Sequence, residues 1–462
     1  MPDNFTHHPS SYRDPSGFIF KKNGVLYRQV NKIFREDFDL FISSGCYESL
    51  VKKGSLIPHR ALNENLTGDE EWYATLQPEP LSFISYPYEW GFEMLKDAAL
   101  LTLDLLKAGL GFGMLLKDAT PYNIQWHKGK LIFIDSLSFE KYDETIPWIA
   151  YRQFCEHFLS PLLLAHHSRM PLQELLLAYS DGIPLAVTRS LLPWKTKFSM
   201  HTYLHIHLHA KYSMQQPTSP EPAKKNSFSK KKLLNLVASL EGLIKTLRLP
   251  DSQSTWSGYY DEASQRADYL EHKQKIIGKW IEKISPVATA ADLGANKGEF
   301  SKLTAAKDIQ TTAADFDPFC INTLYQEIKR STQKNILPLI IDLSKPSPAI
   351  GVNNEERDSF INRAKVDLVL ALALVHHLAI GKNIPFEKIA YLFQGICRYL
   401  IIEFVPKQDE KIQLMLSTKK DIYTQYTEEN FIAAFTKYFI IKEKETIAGS
   451  GRTLYLMKKN EG

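Results

Sequence analysis

The chain of 462 residues and 52.9 kDa has room for two or three domains at about 150 residues each. Its 44% hydrophobic and 23% charged residues are ordinary globular usage and exclude a disordered or fibrous protein. A formal net charge of only +4 carries no signal for a dedicated nucleic-acid binder, which has a clear basic excess.

The N-terminus, MPDNFTHHPS, lacks a basic region followed by an apolar core, so no signal peptide is predicted. Asn23-Gly24 between FIFKK and VLYRQV predicts a hairpin. The apolar stretch 94–116 is interrupted by Lys96, Asp97, Asp104 and Lys107, too often for a membrane span of roughly 20 uncharged residues. The four cysteines, Cys46, Cys155, Cys320 and Cys397, are scattered and form no CxxC pair. Reduced thiols in a cytoplasm follow, with neither a disulfide framework nor a zinc site.

Residues 117–135 read KDATPYNIQWHKGKLIFID, placing Asp118, Asn123 and Asp135 in one short segment. Further on, His205, His207 and His209 alternate in HTYLHIHLHAKY, so that a strand would set them on one face. Without a nearby carboxylate, a packed or exposed segment is expected there, and no metal site is predicted. Residues 211–232 are dominated by Pro, Ser, Gln and Lys and predict a flexible linker. A connecting helix over 233–254 follows, with leucines at helical spacing and Pro250 to end it; it could pack on either domain. Trp256, Tyr259 and Tyr260 come next, as a lid over a site or as packing anchors.

From about 285 the pattern changes to short apolar runs alternating with helical stretches, which predicts βαβ units and a parallel sheet. VATAADLGANKGEFSKL brings a run ending in Asp292, a turn with Gly294, Asn296 and Gly298, and a helix start. Glycines permit the tight turn and close approach of a ligand. Asp315 stands 23 residues after Asp292, where a carboxylate can accept from both ribose hydroxyls. Three further runs end at Asp342, at Ala371–Ala373 and at Glu403, positions at carboxyl ends of strands where open α/β sheets bind ligands.

Taken in order, DLGANKGEF, AADFDP, IIDLS, DLVLALALVHHL, LIIEFVP and SGRTLYLMKK resemble class I S-adenosylmethionine-dependent methyltransferases over roughly 260–462. The resemblance implies a doubly wound, mostly parallel sheet closed by an antiparallel strand, TLYLMKK, and S-adenosyl-L-methionine as cofactor. It implies that Asp292, Gly294, Asn296 and Gly298 form the first cofactor loop, and that Asp315, followed by Phe316, holds the ribose. Asp342 and Leu343 would flank the adenine, and Ala371 and Ala373 the methionine end. Asn296 stands where the family often has glycine; Asn tolerates left-handed angles. His376, His377 and Glu403 are the candidate general bases at the pocket rim. A nicotinamide-binding or non-binding Rossmann-like domain is the other reading of the sheet pattern.

In the N-terminal half, Asp118, Asn123 and Asp135 have the spacing of the catalytic core of protein kinases and aminoglycoside phosphotransferases. That resemblance implies Asp118 orienting an acceptor hydroxyl, with Asn123 and Asp135 holding Mg²⁺. The sequence departs from it: no G-x-G-x-x-G loop in 15–35, no V-A-I-K-type strand, Asp135-Ser136-Leu137 for D-F-G, and Lys117 before the Asp. An α+β kinase-like domain over 1–210, without phosphotransfer, is therefore expected beside a methyltransferase domain over 255–462. Together with FISYPYEWGFEMLKDAALLTLDLL and PWIAYRQFCEHFLSPLLL, the half resembles bacterial two-domain methyltransferases of a nodulation-protein-related group. The expected activity is methyl transfer to a small-molecule, glycan or carrier-linked acceptor. The alternatives are a bifunctional enzyme with a live phosphotransferase, or a binding protein with a vestigial site. Oligomeric state is not legible.

Overall fold

The computed structural model describes residues 5–213, 228–250, 267–417 and 420–460. The chain divides into two compact units, Met1–Pro250 with Gly351–Arg357, and Asp251–Ile350 with Asp358–Gly462.

The first unit opens with an antiparallel sheet of order β1-β2-β3-β5-β4: β1 (Phe5–His7), β2 (Gly17–Lys22), β3 (Val25–Asn31), β4 (His59–Leu62) and β5 (Trp72–Pro78). Asn23 and Gly24 both take positive φ, 51° and 78°, and close the β2–β3 hairpin as their sequence predicts. The apolar stretch then forms the helix Phe92–Gly111, whose Leu95, Ala99, Leu103, Leu106 and Leu110 are buried while its five charged residues stay on the half-buried side. Two small antiparallel pairs follow, β6 (Met114–Leu116) with β9 (Phe139–Lys141), and β7 (Ile124–His127) with β8 (Lys130–Phe133). Segment 117–123 runs between β6 and β7, and Asp135 follows β8.

Two expectations change here, those of the linker and the connecting helix, and the histidine run takes its form. The histidine run is helical, not a strand; Tyr203–Leu208 forms a π-helical turn. There the imidazoles serve packing: His205 meets the Tyr151 hydroxyl at 2.7 Å and Ser239 Oγ at 2.8 Å, and His207 meets Thr196 Oγ1 at 2.9 Å. Among the described residues no cluster of three metal-ligating side chains occurs. Of the expected linker 211–232, residues 211–213 belong to one helix and 230–232 to the next, while 214–227 lie outside the described residues. The connecting helix runs Lys230–Thr246 and belongs to the first unit. Leu233, Val237, Leu240 and Ile244 are buried, Lys107 pairs with Glu241 at 2.9 Å, and Lys96 Nζ donates to Leu247 O at 2.7 Å. Each fully buried aliphatic side chain on that stripe contributes roughly 1.5–3 kcal/mol, more than its surface ion pair can. Trp256, Tyr259 and Tyr260 lie outside the described residues.

The second unit is a seven-stranded sheet of order β12-β11-β10-β13-β14-β16-β15. The first five are parallel: β12 (Ile336–Ile340), β11 (Gln310–Asp315), β10 (Thr289–Leu293), β13 (Val366–Ala371) and β14 (Cys397–Phe404). As the resemblance implies, TLYLMKK forms β16 (Thr453–Lys459), antiparallel to both β14 and β15 (Phe439–Thr446). Successive strands step outward from β10 to β12, and then the chain returns to β13 on the other side. That reversal opens a crevice at the carboxyl ends of β10 and β13. One face of the sheet is covered by the helix Ala267–Ile284, whose Ile277, Trp280 and Ile281 pack with Ala290, Leu368, Ile401 and Leu456.

Candidate active site

A cavity of 290 Å³ lies at the carboxyl ends of β10 to β13. Its wall starts with the turn after β10. Gly294 (φ 81°), Asn296 (φ 51°) and Gly298 (φ 79°) all take left-handed angles, which is why the departure to Asn at 296 is tolerated. Gly294 N and Ala295 N donate to Ala314 O at 2.8 and 3.0 Å, tying the turn to β11. At Gly298 a Cβ would come within 2.7 Å of the Leu324 side chain, so the helix start fits closely only with glycine.

Asp315 ends β11 on the cavity wall. Its Oδ2 accepts from Asn296 N at 2.8 Å and its Oδ1 from Asp317 N at 2.9 Å. Burial pushes its pKa up to about 6 despite these donors. Asp342 also lines the cavity; burial opposes its charge, but the Ser344 hydroxyl (2.6 Å) and N–H (2.9 Å) and Lys382 (3.7 Å) outweigh it and hold the pKa below the usual range.

Of the residues expected at the site, Gly294, Asn296, Asp315, Phe316, Asp342, Leu343, Ala373 and His377 line this cavity together. Five do not. Gly298 supports the turn from behind. Asp292 is buried beneath it, accepts from Ser301 Oγ at 2.6 Å, and has its pKa pushed up to about 6 by burial. Ala371 is enclosed within β13. His376 is buried under His377, their ring centroids 4.1 Å apart, with its pKa driven well down by burial. This corrects the expectation that His376 stands at the rim. His377 does face the cavity, and burial lowers its pKa to about 4, so it is neutral at pH 7.

Glu403 corrects a second expectation. It is fully buried, and its carboxylate is committed within the chain rather than presented as a base. Oε2 accepts from Lys273 Nζ at 2.6 Å and from Ala373 N at 2.8 Å, and Oε1 from the Tyr269 hydroxyl at 2.9 Å. Arg452 approaches Oε1 at 3.5 Å and clamps Asp409 with two bonds of 2.8 and 3.1 Å. Burial opposes the charge on Glu403, but Lys273 and Arg452 overcome it and its pKa falls. Burial pulls the Lys273 pKa down in turn, with Glu403 acting the other way. Tyr269, Lys273 and Ala373, all held by this carboxylate, line the cavity. Ala373 is held at φ 49°, unusual for a residue with a Cβ. Sequence reasoning did not find Tyr269, Lys273, Asp409 or the role of Arg452. The one visible signal was a buried-strand glutamate, which must find a cation somewhere.

In the first unit, Asn123 Nδ2 donates to Asp118 Oδ2 at 2.9 Å and Gln153 Nε2 to Asp118 Oδ1 at 2.7 Å. Burial, and then the charge of Asp135, raise the Asp118 pKa. Asp135 accepts from Ser138 Oγ at 2.7 Å and Leu137 N at 3.0 Å, and forms a close ion pair with the Arg28 guanidinium from β3. Burial opposes its charge, yet Arg28 and Ser138 bring its pKa down. The three residues are thus brought together, with a cation from the chain itself on Asp135.

No protein-family model matches the chain. The nodulation protein NoeA of Rhizobium meliloti (strain 1021) is 33% identical over 467 residues, covering 98% of this chain and 96% of that protein. The chain belongs to the NoeA family. Within this NoeA-family chain the second unit is an α/β domain built on one mixed seven-stranded sheet. Solved structures give weaker likenesses. The bifunctional kinase-methyltransferase WbdD matches at 16% identity over 42% of this chain, with a TM-score of 0.29; the chain spans about four tenths of its length (39%). Magnesium protoporphyrin IX methyltransferase from Synechocystis PCC 6803, solved with S-adenosylhomocysteine, matches at 15% over 46% of this chain and 90% of its own (TM-score 0.33). The N-methyltransferase NodS of Bradyrhizobium japonicum WM9 matches at 15% over 42% and 97% (TM-score 0.32). At such values the cavity of the NoeA-family chain must speak through its own geometry. Among the described residues no helix is long and apolar enough to cross a membrane.

Proposed function

We propose that the second unit transfers a methyl group from S-adenosylmethionine to a small-molecule, glycan or carrier-linked acceptor in the cytoplasm. The observation that carries this reading is Asp315, a strand-end carboxylate on the wall of the cavity, fixed by the N–H of the glycine turn. The cavity suits the cofactor: carboxylates at Asp315 and Asp342 for hydroxyl and amine donors, apolar Phe316 and Leu343 for a flat base, and a turn with no side chain at Gly294. When bound, the cofactor supplies an electrophilic methyl on a sulfonium. The chain's part is to orient and to keep water out. Asp315 would receive the ribose, Asp342 and Leu343 the adenine, and Gly294 and Ala373 the methionine end. With Asp315 and Asp342 engaged by the cofactor, His377, neutral at pH 7, is a further group on the wall able to accept a proton from an acceptor hydroxyl, though a pKa of about 4 makes it a weak base. The acceptor would then need little help, and positioning would supply most of the rate.

Isothermal titration of the full chain with S-adenosylhomocysteine tests this. Binding is expected, weakened roughly 100-fold in Asp315→Ala by the loss of charged hydrogen bonds of about 1.5–3 kcal/mol each. A folded wild-type chain that does not bind it would overturn the reading.

For the first unit, the pairing of Asp135 with Arg28 favours a kinase-like domain without phosphotransfer: a guanidinium stands at the carboxylate that would hold Mg²⁺. Magnesium-dependent ATP binding that disappears in Asp135→Ala would instead support a bifunctional enzyme.

A further inference from the structure

The segment 191–204 of the first unit inverts the usual arrangement of side chains. Its inward positions are anchored: Leu192, Thr196 and Thr202 are buried, and Thr196 Oγ1 meets His207 Nε2 at 2.9 Å behind the turn. Its outward positions are large and apolar. Trp194 is 72% exposed, Phe198 78% and Met200 76%, with Leu191, Tyr203 and Leu204 exposed beside them. The Trp194 and Phe198 rings touch edge to face at 5.5 Å, so they form one patch rather than scattered contacts. Single exposed apolar residues need no explanation, but a grouped set of this kind marks an interaction surface.

Charge identifies the partner. Lys195 and Lys197 are interleaved with the two rings and exposed. From residue 182 to residue 213 the chain carries Arg189, Lys195, Lys197 and Lys211, all exposed, and no Asp or Glu. The whole chain averages one acidic residue in about nine (52 in 462), so a stretch of this length would hold three or four. A protein partner's apolar pocket would not require that exclusion of acid; an anionic lipid surface would. Indole and phenyl rings settle at the level of lipid headgroups, lysine stems lie along the apolar layer with their ammonium groups at the phosphates, and the anionic leaflet attracts each basic residue. We infer that segment 191–204 is a peripheral membrane-binding surface for anionic phospholipid, with Trp194, Phe198 and Met200 entering the interface and Lys195 and Lys197 meeting headgroup phosphates.

Co-sedimentation of the full chain with vesicles tests this, using phosphatidylcholine alone against phosphatidylcholine mixed with phosphatidylglycerol. Binding to the mixed vesicles, weak binding to the neutral ones, and release by salt are expected. Trp194→Ala/Phe198→Ala and, separately, Lys195→Glu/Lys197→Glu should each weaken binding by roughly tenfold or more. All four side chains are exposed, so thermal unfolding by circular dichroism should match wild type in both variants. Failure of the wild-type chain to bind mixed vesicles would overturn the inference, as would equal binding by all three proteins. Concentration-dependent self-association that the Trp194→Ala/Phe198→Ala variant abolishes, without vesicle binding, would also overturn it and assign the patch to a second copy of the chain.

Discussion

Asp315 and Asp135 look alike in sequence, each an aspartate at the end of a short apolar run. In the second unit, Asp315 is met by backbone N–H groups and, among the described residues, by no cationic side chain, and its carboxylate remains on a cavity wall. In the first, Asp135 is met by Arg28, and the chain supplies the cation. The difference teaches that a strand-end carboxylate signals a binding site only when no side chain of opposite charge has claimed it. Glu403 makes the same point inside the second unit: its own strand end is occupied by Lys273 and Arg452, and it shapes the cavity through Tyr269 and Ala373 instead of facing it.

The comparison can be broken most sharply at Glu403. Removing one partner of a buried ion pair leaves an uncompensated charge, so Glu403→Ala should cost about 4 kcal/mol in urea denaturation. A loss under 1 kcal/mol would mean that Lys273 and Arg452 do not depend on it. Next comes Asp292, a buried carboxylate with a hydroxyl partner and, among the described residues, no cation in bonding contact. Its folded pKa of about 6 lies above the unfolded value near 3.9, so the native state binds the proton more tightly. That contribution is complete below about pH 4 and is lost as pH rises through 6, so stability falls with pH in that window. Relative to Asp292→Asn, wild type should lose about 3 kcal/mol between pH 4 and pH 7, at roughly 1.4 kcal/mol per unit; a constant difference across the window would contradict the burial argument. The smallest effect belongs to Arg28→Ala. Because that pair is slightly exposed, a loss of about 2 kcal/mol is expected. The Asp135 carboxyl, deprived of its cation, should titrate at higher pH in a carboxyl-resolved NMR experiment.

Much of the second unit was legible because its signals are local. Each strand is a short apolar run, each end is marked by a small or acidic residue, and the turn needs Gly294 and Gly298 within five positions. The Asn23-Gly24 hairpin was legible for the same reason. What escaped was long-range. Lys273 lies 130 positions from Glu403, on a helix whose apolar residues Ile277, Trp280 and Ile281 give no sign that a lysine also turns inward. Arg28 lies 107 positions from Asp135 in a strand that reads as ordinary. The histidine run was expected to pack locally or lie exposed, but its helical form was not legible: alternation is compatible with a strand, while a π-helical turn buries His205 and His207 against different partners. Local pattern sets which elements form; the pairing of buried charges depends on how those elements meet.

The placement of β16 between β14 and β15 gives the second unit a particular order of assembly in time. The five parallel strands are complete once residue 404 has been made, yet β15 has no neighbour in the sheet until residues 453–459 exist. Glu403 must likewise wait roughly 50 residues for Arg452, a few seconds at ~5–20 residues per second. During that interval Lys273 is, among the described residues, its one cationic partner, and the edge of β14 stands open to any strand that can pair with it. A nascent chain therefore carries an exposed, apolar sheet edge beside an unfinished pocket until residues 452–459 emerge and seal both.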